Sequence, residues 1–224
     1  MDGTLLQRAS VEHALALREA AAMVHGLPSL DGHVVEAAGR TDLAIGRDLL
    51  LAAGVTADRI DAELGAVAGA TVEAFERLCP RDLSNKLAPG VFALLPKLAS
   101  RPHQYQLSLV TGNLEAVARL KLDRAGIGGY FPPGQGAFGS DSENRDELPA
   151  IARSRAALPA WPRERTVVIG DTPRDIACAR ADGVRVVAVG TGPFGVEALA
   201  DADAVVSDAR ALLPVLEDWI SAPE

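Results

Sequence analysis

Thr166-Val-Val-Ile-Gly-Asp-Thr-Pro-Arg-Asp175 is the stretch that decides the fold. Its first four residues are β-branched and suit a short buried strand. Thr172 then suits a helix N-cap and Pro173 the first helical position, so a helix should begin directly after the strand. The strand ends at one acid, Asp171, and a second acid, Asp175, falls in the first turn of the helix. The stretch predicts a strand-to-helix junction that carries two carboxylates.

The segments around this junction repeat the same alternation from residue 89 onward. A helix with the apolar face Val91, Leu94, Leu95 and Leu98 comes first, and short β-like runs then alternate with helical patterns. Such alternation favours a parallel sheet covered by helices on both faces. The sequence therefore predicts an α/β fold with a Rossmann-like sheet, whose predicted strands are 105–110, 136–139, 166–169, 184–189 and 204–206.

Residues 8–86 have a different pattern and predict helices only. In the third of these helices, apolar residues recur at intervals of three and four positions from Ile60 to Leu78, which is the helical period. A chain of 224 residues suits a core domain with a smaller inserted one. We expect residues 1–7 and 87–224 to form the α/β core, and residues 8–86 to form an inserted α-helical domain.

Composition and charge exclude several classes of partner. The net charge is −8, the pI is about 5.1, and no basic stripe is present, so nucleic acid and anionic membranes are not expected partners. The longest apolar runs, such as Leu49–Val55, are too short to span a bilayer, and no signal-peptide pattern begins the sequence. Cys79 and Cys178 suit free thiols in a reducing cytoplasm, which is the expected location. The sequence predicts no particular oligomeric state.

The two acids of the junction suggest a metal site. Ligands of parallel sheets bind beyond the carboxyl ends of the strands, where Asp171 and Asp175 would share one space. Two close carboxylates repel unless a cation lies between them, and hard oxygen ligands suit Mg²⁺. A role of Asp175 in complementing the helix dipole would explain one acid, but not Asp171 directly after Gly170. The Mg²⁺ interpretation is therefore the stronger one.

Two further places are compatible with binding an anion. Thr111-Gly112-Asn113 follows a predicted strand and offers amides and a hydroxyl, although an ordinary N-cap at Asn113 explains it equally simply. Arg145 opens a helix among acids, where it is either a surface ion pair or a guanidinium directed at a phosphoryl group. Spacing alone leaves both interpretations of Arg145 open.

Several other residues have simple structural interpretations. Arg40 and Thr41 lie in a loop that caps a helix of the insert, and this loop could also face a ligand. Lys121 is expected to be a surface charge. The four histidines share no spacing and predict no site.

The first six residues, Met1-Asp2-Gly3-Thr4-Leu5-Leu6, read as an acid at a strand end followed by a turn that Gly3 permits. No strand precedes this turn in the sequence.

Together these motifs resemble the haloacid dehalogenase superfamily, whose members are mostly Mg²⁺-dependent phosphatases. The similarity covers nearly the whole chain. Within this superfamily, the chain is most similar to the phosphoglycolate-phosphatase-like branch. The matching motifs are Met1–Leu5, Thr111, Arg145 and Gly170–Asp175, of which the last is the most specific. The helical insert is similar to the family's α-helical cap.

The resemblance implies a role for each matching residue. Asp2 would be the general acid/base and would also bind Mg²⁺ through its backbone carbonyl. Arg145 would stand where the family usually has lysine. The remaining implied roles are phosphoryl binding by Thr111, Gly112 and Asn113, Mg²⁺ binding by Asp171 and Asp175, and substrate contacts from the cap by Arg40 and Thr41.

The implied reaction is hydrolysis of a small phosphorylated metabolite through an aspartyl-phosphate. The family's nucleophile is the first Asp of an Asp-x-Asp motif, and here that position lies before Met1, since Asp2 is the second. Either Met1 is an internal residue of a chain that extends upstream by about 5–10 residues, roughly one strand, or this is an inactive relative. The first explanation is favoured because the other site residues remain.

In both cases we expect little turnover and low stability from residues 1–224 alone, because a central strand would be missing. The alternative function is a non-catalytic binding or scaffold protein with the same fold. Hydrolysis and phosphotransfer both stay open.

Overall fold

The computed structural model describes residues 1–9, 11–157 and 160–221. The helices and strands in these ranges are, in chain order, α1 (Val11–His25), α2 (Asp42–Ala52), α3 (Ala57–Leu78), α4 (Val91–Ala99), α5 (Glu115–Arg124), α6 (Leu148–Ala156), β1 (Val167–Gly170), α7 (Pro173–Ala181), β2 (Arg185–Val189), β3 (Ala204–Val206) and α8 (Leu212–Ser221). Short 3₁₀ turns connect several of them, including Ser84–Lys86 and Arg145–Glu147. No helix in the described part of the chain is long and apolar enough to cross a membrane.

The three strands form a parallel sheet in the order β1-β2-β3. Val168 pairs with Val186 and Val187 with Ala204, so valines occupy much of the sheet. Val186 and Val187 are fully buried, as expected for a parallel sheet packed against helices. The predicted α/β fold class is confirmed.

The predicted start of α7 has the expected local chemistry. The Thr172 side chain accepts from the Asp175 N–H at 3.3 Å, and the Asp175 carboxylate accepts from the Thr172 N–H at 2.9 Å. This reciprocal capping box satisfies backbone donors that would otherwise have no partner at a helix start. It also fixes the direction in which the Asp175 side chain leaves the helix.

Helices α1, α2 and α3 all lie within residues 8–86, the segment called the helical insert below, whose domain boundaries stay a prediction. They enclose an apolar cluster of their own, with Leu49, Leu50 and Ile60 almost completely buried. Phe75 of α3 belongs instead to the larger core that includes Val117 and Val187. The insert therefore has its own interior and also contributes to that larger core.

The predicted strands at 105–110 and 136–139 are wrong as regular strands. Within the described residues their pairing is one parallel bridge between Val110 and Ala137, with hydrogen bonds from the Thr111 N–H to the Ala137 carbonyl (3.1 Å) and from the Ala137 N–H to the Leu109 carbonyl (2.8 Å). The segment 105–110 is extended but has no hydrogen-bonded neighbour on its other side in the described structure. An extended segment that lacks continuous pairing is not a strand of a sheet.

A cavity of about 660 Å³ explains the missing pairing. It is lined by the segment 105–110, by β1, and by apolar side chains of α4 and α8. The bridge to Ala137 directs the backbone N–H and C=O of Val110 away from Ala137, and the β1–β2 register directs those of Val167 and Ile169 away from β2. Two backbone edges thus border the cavity, and Met1 lines it as well.

Candidate active site

Asp175 has hydrogen-bond partners on both carboxylate oxygens. Oδ2 accepts from the N–H groups of Asp171 (3.1 Å) and Thr172 (2.9 Å) and from the Thr172 hydroxyl (2.8 Å). Oδ1 accepts from the Arg145 guanidinium at 2.5 Å. Burial favours the neutral acid, but Arg145, the α-amino group of Met1 and the Thr172 hydrogen bonds outweigh it, so the pKa of Asp175 is lowered.

Asp171 lies at the end of β1 with its side chain buried against the first residues of the chain. Its Oδ1 accepts from the Thr4 hydroxyl at 2.7 Å. A Cβ at Gly3 or at Gly192 would come within 1.9 Å or 2.0 Å of Oδ2, so both positions require glycine for this close approach. Burial raises the pKa of Asp171, and the neighbouring Asp175 carboxylate adds to the rise against the opposing effect of the Met1 α-amino group.

The Asp2 carboxylate binds Lys121, which sequence reasoning placed on the surface. Lys121 Nζ lies 2.9 Å from each oxygen of Asp2 and is completely buried. It also donates to Asn113 Oδ1 at 2.9 Å. The prediction of a surface charge at Lys121 is wrong, because α5 turns this side chain inward, under the helical insert.

The pKa of Asp2 reflects these neighbours. Burial favours the neutral acid, but the Lys121 ammonium, through its charge and its hydrogen bond, and the Met1 α-amino group lower the pKa of Asp2. The side chain is about 25% exposed, and both of its carboxylate oxygens contact Lys121. Asp2 is therefore held as a carboxylate in this arrangement.

Two residues of the insert, His13 and Asp42, complete the surroundings of Lys121, and sequence reasoning assigned them no role. His13 Nδ1 lies 3.2 Å from Lys121 Nζ, and His13 Nε2 lies 2.9 Å from Asp42 Oδ2. His13 belongs to α1 and Asp42 to α2, which are separated in sequence by a long loop. No local pattern could have found the pair, because its members meet only through the packing of helices.

Thr111, Gly112 and Asn113 form the loop that follows the segment 105–110. Thr111 is buried, and its Oγ1 accepts from the Asn113 N–H at 3.2 Å. The Gly112 carbonyl accepts from the Asp42 N–H at 2.8 Å, and a Cβ at Gly112 would lie 2.0 Å from the Arg40 carbonyl oxygen. The insert therefore lies directly on this loop, at the same end of the parallel strands as Asp171.

Arg145 has a buried donor that remains free. Its Nε is buried and has no hydrogen-bond partner within the described residues, although the same guanidinium binds Asp175. A buried unpaired N–H costs about 1–3 kcal/mol. Sequence spacing left two roles open for Arg145, and its nearly complete burial rules out a solvated surface ion pair.

Arg40 and Thr41 lie on the insert side of the site. The Arg40 guanidinium binds the Asp48 carboxylate at 2.6 Å, which directs it along α2. The Thr41 hydroxyl donates to the Glu143 carbonyl at 2.8 Å and also caps α2. Both residues meet the core here, and their contacts with a substrate stay a prediction.

Five of the seven predicted site residues of the core are joined by direct contacts, in two groups. Asp171 and Asp175 share the junction after β1, Arg145 binds Asp175, and Asp2 and the Asn113 side chain share Lys121. No group of three or more His, Cys, Asp or Glu side chains within the described residues is arranged to hold a metal ion. A cation here would therefore take backbone carbonyls or water beside Asp171, whose raised pKa it would relieve.

Comparison with solved structures shows the same fold at low sequence identity. A hydrolase from Pseudomonas syringae is 20% identical with a TM-score of 0.62, covering 97% of this chain and 95% of that one. β-Phosphoglucomutase from Clostridium difficile is 16% identical with a TM-score of 0.69, covering 97% and 94%. CbbY from Rhodobacter sphaeroides, solved with phosphate, is 16% identical with a TM-score of 0.67, covering 96% of each chain.

The comparison with family models is more specific. No curated protein matches the sequence. A model described as haloacid dehalogenase-like hydrolase matches residues 1–180, a range that includes Asp2, Thr111, Arg145, Asp171 and Asp175. The chain therefore belongs to the haloacid dehalogenase-like hydrolase family.

Proposed function

We propose that this site is a Mg²⁺-dependent phosphatase centre for a small phosphorylated metabolite, of the phosphoglycolate-phosphatase-like kind. The observation that carries the proposal is the buried Arg145, which binds Asp175 after the end of β1 and whose Nε has no hydrogen-bond partner within the described residues. A phosphoryl oxygen would satisfy that N–H, and a bound cation would offset the negative charge of the acids. A neutral acceptor would satisfy the same N–H, but it would gain nothing from the charge of the guanidinium.

The proposed reaction has two steps. In the first, an aspartate carboxylate attacks phosphorus, the bond to the leaving oxygen breaks, and Asp2 donates a proton to that oxygen. In the second, water attacks the aspartyl-phosphate, Asp2 takes the proton of the water, and phosphate leaves. The Lys121 ammonium, the largest of the influences that lower the pKa of Asp2, favours its carboxylate form, which is the form needed in the second step.

Arg145 and the Thr111 loop would hold the phosphoryl group. The guanidinium would donate from Nε, and the Gly112 amide and the Thr111 hydroxyl would donate as well, joined by the Asn113 amide once it leaves Thr111 Oγ1. Fixed donors of this kind stabilise the charge that develops on the transferring group, because they require no reorganisation during the reaction. Asp175 would keep Arg145 directed into the site.

Asp171 and the Asp2 carbonyl are the groups that we assign to Mg²⁺, with Asp175 orienting the loop around them. Asp171 is a buried carboxylate whose charged form is disfavoured, and a divalent cation suits such a ligand. Bound there, Mg²⁺ would reduce the repulsion between a phosphate dianion and the attacking carboxylate.

The nucleophile is the aspartate that the family places two residues before the acid/base, a position that precedes Met1 in this numbering. We propose that it is carried on a strand that fills the cavity between the segment 105–110 and β1. The cavity supports this assignment, because backbone groups of Val110, Val167 and Ile169 border it and Met1 lines it. Residues 1–224 without this strand should show little or no turnover.

The test is activity of an extended chain. An apolar strand of about five residues that ends in Asp, placed two positions before Asp2, is joined to Met1. We expect Mg²⁺-dependent release of inorganic phosphate from p-nitrophenyl phosphate, and loss of that activity with EDTA. Inorganic phosphate is the product to measure, because transfer to a second hydroxyl would release none.

The matched control carries Asn in place of the added Asp. It keeps the strand and removes only the nucleophile, so its turnover should fall to the level of residues 1–224. An extended chain that is inert on a broad panel of phosphoesters overturns the phosphatase proposal. Phosphate binding without turnover would instead support the alternative, a non-catalytic binding protein.

A further inference from the structure

Lys121, His13 and Asp42 form a buried polar chain that ends at Asp2, and none of the three has a role in the reaction described above. Their exposed fractions are 0%, 6% and 3%, which is unusual for ionisable side chains. The Phe75 ring of α3 covers the chain, with Lys121 Nζ 5.7 Å and the His13 ring 5.4 Å from its centre. Such burial requires that each polar group has a partner.

Hydrogen-bonding capacity fixes where the protons of this chain lie. A lysine ammonium can only donate, so His13 Nδ1 accepts from Lys121 and the ring proton lies on Nε2. Nε2 then donates to Asp42 Oδ2, and the same oxygen accepts the Leu114 N–H at 2.7 Å. With Lys121 as an ammonium, one arrangement satisfies every member of the chain. Its three N–H groups then go to His13 Nδ1, to Asn113 Oδ1 and to the Asp2 carboxylate, whose two oxygens share the third.

This buried polar chain of side chains crosses from the helical insert to the core. Lys121 and Leu114 belong to the core, whereas His13 and Asp42 belong to α1 and α2. If the insert moved away, Lys121 would lose His13 and the Leu114 N–H would lose Asp42. The side chain that binds Asp2 is thus held in place by the insert.

We propose that Lys121 is a positioning residue for Asp2, and that the His13–Asp42 pair holds Lys121 in place only while the insert is seated on the core. The inference rests on the proposed function, because the orientation of Asp2 matters through its role as acid/base. It adds to that function a physical link between the position of the insert and the orientation of the Asp2 carboxylate.

The first test needs no catalysis and uses the full chain. In protein labelled with ¹⁵N-histidine, His13 should show the Nε2–H tautomer with a hydrogen-bonded Nδ1. Lys121→Met should move the Nδ1 resonance to that of an unbonded nitrogen, while the resonances of the exposed His103 stay unchanged. An Nδ1–H tautomer in the wild-type spectrum would overturn the proposal, and this readout does not depend on whether the variant folds.

The second test compares two substitutions of His13 in the extended, active chain. His13→Leu should lower kcat by about 10-fold while KM changes by less than about twofold, since binding groups are untouched and acid/base catalysis is misaligned. His13→Gln can accept from Lys121 and donate to Asp42, so its kcat should stay within about threefold of the parent. Unchanged kcat in His13→Leu, or a loss confined to KM, contradicts the inference.

The two tests separate failure of the inference from failure of the proposed function. If the extended parent hydrolyses no phosphoester, the proposed function fails, while the histidine spectrum still decides whether the chain from Asp42 to Asp2 exists. If the parent is active and His13→Leu equals it, only the inference fails.

Discussion

At the scale of single residues, Arg145 combines a binding role with a stabilising one. Arg145→Met removes the guanidinium and leaves the buried Asp175 carboxylate without its main partner. Breaking a buried pair in this way costs about 3–5 kcal/mol. We expect the free energy of unfolding in urea at pH 7 to fall by roughly that amount.

The matched control for this variant is Arg174→Met. Arg174 pairs with Glu36, but the two side chains are 43% and 66% exposed, and such surface pairs contribute about 0–1 kcal/mol. Similar losses in the two variants would show that the Arg145–Asp175 pair is not buried in solution.

His25 provides a prediction about pH. It is 2% exposed, and neither of its ring nitrogens has a hydrogen-bond partner in the described structure. Burial, and secondarily the charge of Arg59, lower the pKa of His25 below its usual value of 6.5. The unfolded chain therefore binds the proton first as the pH falls below 6.5, so the stability of the folded state decreases there.

The measurement is the difference in unfolding free energy between pH 7.5 and pH 5.5. Wild type should lose more stability over this interval than His25→Leu, which has nothing to protonate at this position. His103→Leu, at an exposed histidine, should behave as wild type does. Equal losses in wild type and His25→Leu would contradict the burial of a neutral His25.

Local chemistry explains which site residues the sequence could reveal. Asp171 and Asp175 were predictable, because a β-branched run, a threonine cap and a proline all lie within ten adjacent residues. Lys121 and His13 were not, because 108 positions separate them and only helix packing brings them to 3.2 Å. In a sequence, a polar residue on a predicted helix indicates an exposed side chain, because the distant residues that pair with it and cover it in the fold are not apparent.

At the scale of elements, the capping of α7 and α3 offers a direct comparison. The Thr172 side chain accepts from the Asp175 N–H, whereas Thr56, the N-cap of α3, makes no side-chain capping bond. Thr172→Ala should therefore lower the free energy of unfolding by about 1–2 kcal/mol, while Thr56→Ala stays within about 0.5 kcal/mol of wild type. Urea unfolding measures both, and equal effects would show that the hydroxyl bond of Thr172 contributes nothing.

The sheet shows what an element prediction depends on. β1, β2 and β3 were predicted within a residue or two, since each is a short apolar run that pairs with a neighbour. The segment 105–110 has a similar composition, yet it forms one bridge only. Strand character requires a hydrogen-bonded partner, and composition alone does not say whether the partner is present.

At the scale of the whole molecule, the insert and the core meet around the candidate site. Thr41 binds the Glu143 carbonyl, Asp42 binds the Gly112 carbonyl, and Arg47 binds the Glu143 carboxylate at 3.0 Å. These three contacts are polar, whereas Phe75 of the insert packs in the larger core, so opening of the insert would have to break both kinds of contact. The arrangement agrees with the proposed coupling between the position of the insert and the orientation of Asp2.

The cavity beside β1 makes a last prediction about stability, separate from activity. Joining an apolar strand to Met1 should place backbone partners opposite Ser108, Val110, Val167 and Ile169 and fill the 660 Å³ space with side chains. These four residues offer eight backbone groups, and pairing only half of them at about 1 kcal/mol each would raise the melting temperature by about 8–16 °C in a chain of this length. The Asn control of the phosphatase test should show the same rise, because pairing does not require the nucleophile.

The same segment with proline at its centre should not raise the melting temperature, because proline removes a ladder hydrogen bond and fits only at sheet edges. Equal melting temperatures for the pairing and the proline segments would show that the cavity does not accept a strand.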